Sequence, residues 1–114
     1  MDELFFVGLS LILLHEMDAV RCHEWRIFPG LSQLNEKTGF YLFMVLHIPL
    51  FAIILGSLDS TGFRKGFDVF LIIHLGLHLL FLQHPKNEFK DWFSWSVICG
   101  SAVFGAADFL YVME

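Results

Sequence analysis

Basic side chains are scarce in this sequence, and they are nowhere clustered. Its 114 residues include 7 lysines and arginines against 12 aspartates and glutamates, which gives a formal net charge of −5. A protein that binds nucleic acid normally carries a basic patch or stripe on its surface. The shortage of positive charge therefore excludes nucleic acid as a partner.

Cysteine is also scarce, with Cys22 and Cys99 far apart in the chain. Two isolated thiols give neither a disulfide framework nor the CxxC spacing of a thiolate metal site, so we expect both to pack as small apolar side chains. The N-terminus lacks the basic region of a secretory signal, because Asp2 and Glu3 follow the first methionine. We therefore expect a first helix that is retained.

Apolar residues, by contrast, are abundant. They make up 56% of the chain, 14 of them are phenylalanines, and the mean hydropathy is +0.64. Soluble domains average about 45–50% apolar residues, and a soluble fold of this length would leave much apolar surface in water. Four apolar segments, each close to the ~20 residues that cross a hydrocarbon core, are separated by polar, turn-rich pieces. The sequence predicts an all-α fold, a polytopic membrane four-helix bundle that forms one domain over residues 1–114, with helices at about 4–22, 40–58, 65–83 and 92–113.

Positive charge is divided unequally between the predicted loops. The second loop contains Arg64 and Lys65. The first and third loops contain Arg21, Arg26, Lys37, Lys86 and Lys90. The positive-inside rule then places the first and third loops in the cytoplasm. Since four spans put both termini on the same side, we expect an integral membrane protein with both termini outside.

Histidines occur inside the apolar segments, where ionisable side chains are costly and are functional candidates by default. At a rise of about 1.5 Å per residue, four of them lie about 8–14 Å from the predicted cytoplasmic ends of their helices. These four are His15, His47, His74 and His78. His74 and His78 form an i, i+4 pair whose rings can meet, and Asp18 follows His15 by three residues on the same helix face. Glu16 lies on an adjacent face.

A metal site in a helical bundle requires inward-facing ligands from several helices. Imidazole with carboxylate suits zinc, non-haem iron or manganese better than calcium. We therefore predict a divalent metal site, with zinc favoured and iron or manganese as alternatives. The predicted ligands are His15, Asp18, His47, His74 and His78. The competing interpretation is that these histidines only form hydrogen bonds between helices.

Two further groups of polar residues have simpler interpretations. Near the outer face, Asp68 and Asp108 lie at similar depths, and Arg64 precedes Asp68 by one helical turn, so that the two can pair. We favour a structural seam there over a proton or ion path. At the predicted headgroup level, residues 23–26 (HEWR) indicate interfacial anchoring, and the alternative is that His23 or Glu24 bends back as a further metal ligand.

Four motifs carry a family resemblance: residues 15–19 (HEMDA), 23–26 (HEWR), 47–50 (HIPL) and the HxxxH of His74 and His78. Over roughly residues 4–84, the chain resembles the small bacterial membrane proteins of the HXXEE type. Within that resemblance it is most similar to a domain-of-unknown-function group that has an HExDA segment, a tryptophan motif and HIPL. The resemblance implies a four-helix fold in a bacterial inner membrane and a bound metal.

Three functions follow as hypotheses. The first is a metal-dependent membrane hydrolase that acts on a lipid-like substrate, with Glu16 as the general base that takes a proton from water. The second is a haem-binding electron-transfer bundle, with His47 and either His74 or His78 as axial ligands. The third is a non-enzymatic small transporter or accessory subunit that depends on Asp68 and Asp108. The lipid bilayer is the expected partner in each case, and so small an interior is compatible with a homodimer.

Overall fold

The computed structural model describes residues 2–113 and contains four α-helices. The helices are α1 (Glu3–Arg21), α2 (Glu36–Gly56), α3 (Thr61–Leu80) and α4 (Trp92–Met113). Two 3-10 turns, Glu24–Arg26 and Leu31–Gln33, lie between α1 and α2. Residues 2–113 contain no strand, so the predicted all-α fold with four helices is confirmed.

Side-chain caps set the starts of three helices. Asn35 Oδ1 accepts a hydrogen bond from the Thr38 N–H at 2.8 Å, and Ser60 Oγ accepts one from the Phe63 N–H at 3.1 Å. Such caps satisfy donors that have no partner within the helix. As a result, α2 and α3 begin at residues 36 and 61, ahead of the apolar runs that were used to predict them. Asp91 caps α4 by accepting from the Ser94 N–H, and this hydrogen bond lowers the pKa of the Asp91 carboxyl.

Helix α4 packs closely against both α1 and α3. Small residues of α4 make the close approach possible: a Cβ atom on Gly105 would lie 3.0 Å from the carbonyl oxygen of Asp68 on α3, and one on Gly100 would lie 3.3 Å from Leu11 Cδ1 on α1. Contact through small residues is typical of helices that pack in membranes. An apolar core cluster between α1, α2 and α3 consists of Phe5, Leu9, Ile12, Ile54, Phe67 and Leu71.

Helix α2 lies at the edge of this assembly. Its backbone approaches mainly the two 3-10 turns, and its buried residues are Gly39, Phe43 and Ile54. Large apolar side chains of α2 are exposed instead, including Ile48 and Leu55, each at 69%. Among the described residues, α2 and α4 are the two helices that are long and apolar enough to cross a membrane.

The first and third loops meet at one end of the molecule. Arg26 Nη1 donates to Glu88 at 3.1 Å, and Arg21 Nη2 donates to Asp91 at the same distance. His23 adds a contact of 2.9 Å between its Nδ1 and Glu88. These ion pairs join the chain after α1 to the chain before α4, and they therefore enclose the histidine-containing ends of α1 and α3.

Candidate metal centre

Three of the four predicted histidine ligands lie together. His15 comes from α1, and its ring centroid is 4.4 Å from that of His74 and 4.8 Å from that of His78, both on α3. The His74 and His78 centroids are 4.5 Å apart. Each ring offers a nitrogen, and these nitrogens lie within 4.8 Å of one another. All three residues are buried, and we call them the histidine cluster.

The local sequence explains this convergence. On α3, the inward face contains Phe67, Asp68, Leu71, His74 and His78, which is the i, i+3, i+4 spacing of one helix face. The rings of His74 and His78 therefore lie one turn apart on that face, where they meet edge to face and both contact His15 on α1. On α1, His15 is on the buried face, so it meets them where the two helices approach.

A loop residue closes the histidine cluster from the end of the bundle. Phe89 is completely buried, and its ring centroid lies 5.3 Å from that of His15 and 4.6 Å from that of His78. Trp95 Nε1 donates to the Phe89 carbonyl at 2.7 Å and holds the loop in place. The aromatic cover shields one side of the cluster from solvent, and electrostatic interactions are stronger where water is excluded.

Glu24 adds a carboxylate to the cluster. Its Oε2 atom lies 3.3 Å from His15 Nε2 and 3.7 Å from His78 Nε2. The chain reaches this position because α1 ends at Arg21 and His23 adopts a left-handed conformation, with φ of 53°. A left-handed residue after a helix is usually glycine or asparagine, so a histidine at this point gave no signal of the turn. The position of Glu24 matches the alternative in which residues 23–26 supply a further ligand.

Several polar atoms of the site lack a hydrogen-bond partner within the described residues. They are both ring nitrogens of His15, Nδ1 of His74 and Oε2 of Glu24. A buried polar atom without a partner costs about 1–3 kcal/mol, and such atoms in a native structure usually indicate a bound ion or water. One imidazole gives a single nitrogen to a given ion, so His15, His74 and Glu24 each offer one such atom, and ligand atoms of this kind are what a metal-binding site requires.

His47 and Glu16 form a pair of their own, apart from the histidine cluster. His47 Nε2 lies 2.5 Å from Glu16 Oε2, and its Nδ1 lies 2.8 Å from the Phe43 carbonyl oxygen. A carbonyl only accepts, so Nδ1 carries a proton and Nε2 faces the carboxylate. This pair joins α1 to α2, the helix with the fewest buried side chains. The position of His47 along its helix could not say which neighbouring side chain it would contact.

Asp18 is also occupied elsewhere. Its Oδ1 accepts from Arg21 Nε at 2.6 Å, and its Oδ2 accepts from the Ser94 hydroxyl at 2.5 Å. Residues three apart on a helix differ by about 60° in direction, which is enough for Asp18 to face α4 while His15 faces α3. The structure thus places Asp18 in a link between helices.

The second polar layer differs from the predicted pairing. Arg64 donates to Asp108 at 2.5 and 2.9 Å and to Asp2 at 2.6 Å. Asp68 is buried, and neither of its oxygens has a donor within residues 2–113, so the expected pair of Arg64 with Asp68 is replaced by one with Asp108. On the inward face of α3, Leu71 separates Asp68 from His74.

The fold and the site together define a helical protein with a buried histidine cluster that can hold a metal ion. The whole chain, residues 1–114, matches a family of unknown function, DUF6713, and it belongs to that family. This is consistent with the resemblance to a domain-of-unknown-function group. Neither the curated proteins nor the solved structures contain a match to the chain.

Proposed function

We propose that this chain is an integral membrane protein that holds a divalent metal ion, with zinc favoured, between α1 and α3. The observation that carries the proposal is the meeting of three buried imidazoles and the Glu24 carboxylate, with nitrogens and an oxygen that lack partners. In a tetrahedral zinc site with bonds of about 2.1 Å, neighbouring ligand atoms are about 3.4 Å apart. The distances of 3.3 and 3.7 Å from Glu24 to His15 and His78 are close to that value, whereas the three imidazole nitrogens, within 4.8 Å of one another, would have to draw together around the ion.

The membrane location is supported by where the apolar side chains are. A core helix of a soluble protein can be as apolar as α2, but it buries its side chains, whereas α2 exposes Tyr41, Val45, Ile48, Ile53 and Leu55. Exposed apolar residues also occur along α3, from Val69 to Leu80. Contiguous apolar surface on this scale marks contact with a membrane or a partner. We propose that all four helices span a bacterial inner membrane, with the first and third loops in the cytoplasm and both termini outside.

The proposed reaction is hydrolysis of an ester or amide in a lipid-like substrate. A bound zinc ion supplies a Lewis acid that polarises a carbonyl and makes water a better nucleophile. The oxygen of water adds to the carbonyl carbon, and one of its protons moves to a carboxylate. The bond from the carbonyl carbon to the ester oxygen or amide nitrogen then breaks as the leaving atom takes that proton. We assign this proton transfer to Glu16, the carboxylate that directly follows His15 in α1. His47 orients the Glu16 carboxylate through the contact at 2.5 Å.

Two further predicted ligands, Asp18 and His47, are already paired with other side chains. Asp18 and His47 would have to leave their present partners in order to bind the ion, so a ligand role for them stays a prediction. The relation to the HXXEE type is likewise proposed, on the basis of the histidine and acid motifs that supply His15 and Glu16. A homodimer is compatible with the proposal, and nothing in the site requires one.

Elemental analysis of the detergent-purified protein tests the metal site. We expect about one equivalent of zinc per chain in the wild type and in His84→Ala, a matched variant outside the histidine cluster. His74→Ala should lose the metal while its circular dichroism spectrum stays helical. A folded wild-type protein that holds no stoichiometric metal after loading with zinc, iron or manganese would overturn the proposal.

A further inference from the structure

An apolar cavity of about 400 Å³ lies directly beside the histidine cluster. One wall comes from the chain after the first 3-10 turn, with Ile27 and Phe28, and the other comes from the last two turns of α3, with Leu77 and Leu80. Ligand pockets typically have volumes of about 300–1,000 Å³ and mostly apolar walls. The cavity is therefore large enough for part of a substrate.

The cavity and the proposed metal site share two residues. Glu24 and His78 both line the cavity, and the carboxylate of Glu24 is the group that reaches His15. The other lining residues are apolar, including Pro29 and Phe81. A molecule in the cavity thus meets polar groups only where it touches the cluster, so a hydrophilic molecule would lose its water without gaining partners.

The open side of the cavity faces the surface that we assign to lipid. Leu80 is 72% exposed and Leu77 is 45% exposed, and both continue the exposed apolar face of α3. Phe28, on the opposite wall, is 48% exposed. A hydrocarbon chain can pass between these side chains without contact with water, so its burial in the bilayer is continuous with its burial in the cavity.

We propose that the cavity takes a single acyl chain that enters sideways from the bilayer, with its carbonyl group placed at Glu24 and His78. The binding depends on the cavity alone, whereas turnover of the bound lipid rests on the proposed metal site. The substrate class is then an acyl ester or acyl amide, whose hydrolysis gives a fatty acid and an alcohol or amine. The fatty acid is both the product and the smallest ligand that fits this description.

Photolabelling with a fatty acid that carries a diazirine near its methyl end tests the cavity. The full chain in detergent is irradiated with and without excess unlabelled oleate, and the labelled residues are mapped by mass spectrometry. We expect the competed label on residues 27–29 and 77–81. Leu77→Trp, which fills the cavity, should reduce this label about tenfold. Leu79→Trp, which adds the same ring to the same helix but does not line the cavity, should leave it unchanged.

Two results would overturn the inference: equal competed labelling in Leu77→Trp and wild type, or a competed label that lies mainly on α2. Zinc content measured on the same samples separates this inference from the metal proposal. Cavity labelling in a protein that binds no metal supports the acyl-chain site and refutes the metal site. Stoichiometric zinc without competed labelling refutes the acyl-chain site alone.

Discussion

Replacing Glu24 by glutamine tests whether its carboxylate is a metal ligand. The variant keeps the size of the side chain and removes its charge, and Glu24 is mostly buried, with 14% of its side chain exposed, so we expect the fold to persist. At an effective dielectric constant of about 20, unit charges 4 Å apart attract by about 4 kcal/mol. A divalent ion doubles that attraction, and desolvation offsets a large part of it. We expect Glu24→Gln to lose about 2.8 kcal/mol of the zinc-binding free energy, which corresponds to a hundredfold weaker affinity for zinc.

The weaker zinc affinity can be measured as a smaller rise in melting temperature when zinc is added. Zinc at 100 times the wild-type dissociation constant stabilises the protein by about 2.7 kcal/mol, and a hundredfold weaker site would gain about 0.4 kcal/mol under the same conditions. At about 4 °C per kcal/mol for a chain of this size, the wild type should gain about 11 °C and Glu24→Gln about 2 °C. Melting followed by circular dichroism in detergent, with and without zinc, gives both numbers.

Glu88→Gln is the matched control for this experiment. Glu88 is a carboxylate at the same end of the molecule, paired with Arg26 and His23 at the surface. Its loss can lower the melting temperature, but the shift caused by zinc should stay at its wild-type size. If Glu24→Gln keeps the full zinc shift, Glu24 is not a ligand. If the wild type shows no shift at saturating zinc, the ion does not bind the folded protein.

Three further predictions concern the fold. Gly105→Ala should lower the melting temperature, because the new methyl group meets the backbone of α3 at 3.0 Å and overpacking costs about 1–3 kcal/mol. Gly76→Ala has open space around it and should be neutral or stabilising. Equal effects of the two substitutions would refute the close approach of α4. Arg64→Ala should cost about 3–5 kcal/mol in denaturant titration, because it leaves a buried carboxylate unpaired, and adding Asp108→Asn should restore part of the loss. The pKa of Asp91 is lowered in the folded state. The contribution of Asp91 to the stability of the fold is therefore present above the unfolded pKa of about 3.9 and is lost as the pH falls through the folded pKa. In Asp91→Asn, the melting temperature should fall less steeply below about pH 4 than in the wild type.

The sequence predicted the helices, and the histidines that share one level along them, better than it predicted the contacts between side chains of different helices. Helical spacing alone identified His74 and His78 as a pair, and depth along the helices correctly grouped them with His15. Both arguments depend on the regular geometry of a helix, which the sequence encodes directly. Neither argument sets the rotation of one helix against another, which is why His47 could not be separated from the cluster in advance.

Glu24 shows where the sequence left two alternatives open, interfacial anchoring and a turn back toward the histidine cluster. The dipeptide His-Glu occurs at residues 15–16 and again at 23–24, and that repetition was the available signal. A helix that continued past Arg21 would have pointed Glu24 away from the site. The reversal depends on the left-handed backbone of His23, a conformation that histidine adopts only occasionally, so the sequence could not decide between the two alternatives.

The order of the ligands along the chain has a consequence for biogenesis. His15 leaves the ribosome early, but His74 and His78 follow only after α2 and most of α3 have been made. Phe89, which covers them, emerges later still. The ion that we propose would therefore find all three imidazoles together only after the third helix lies beside the first, so its binding would follow the assembly of α1 with α3.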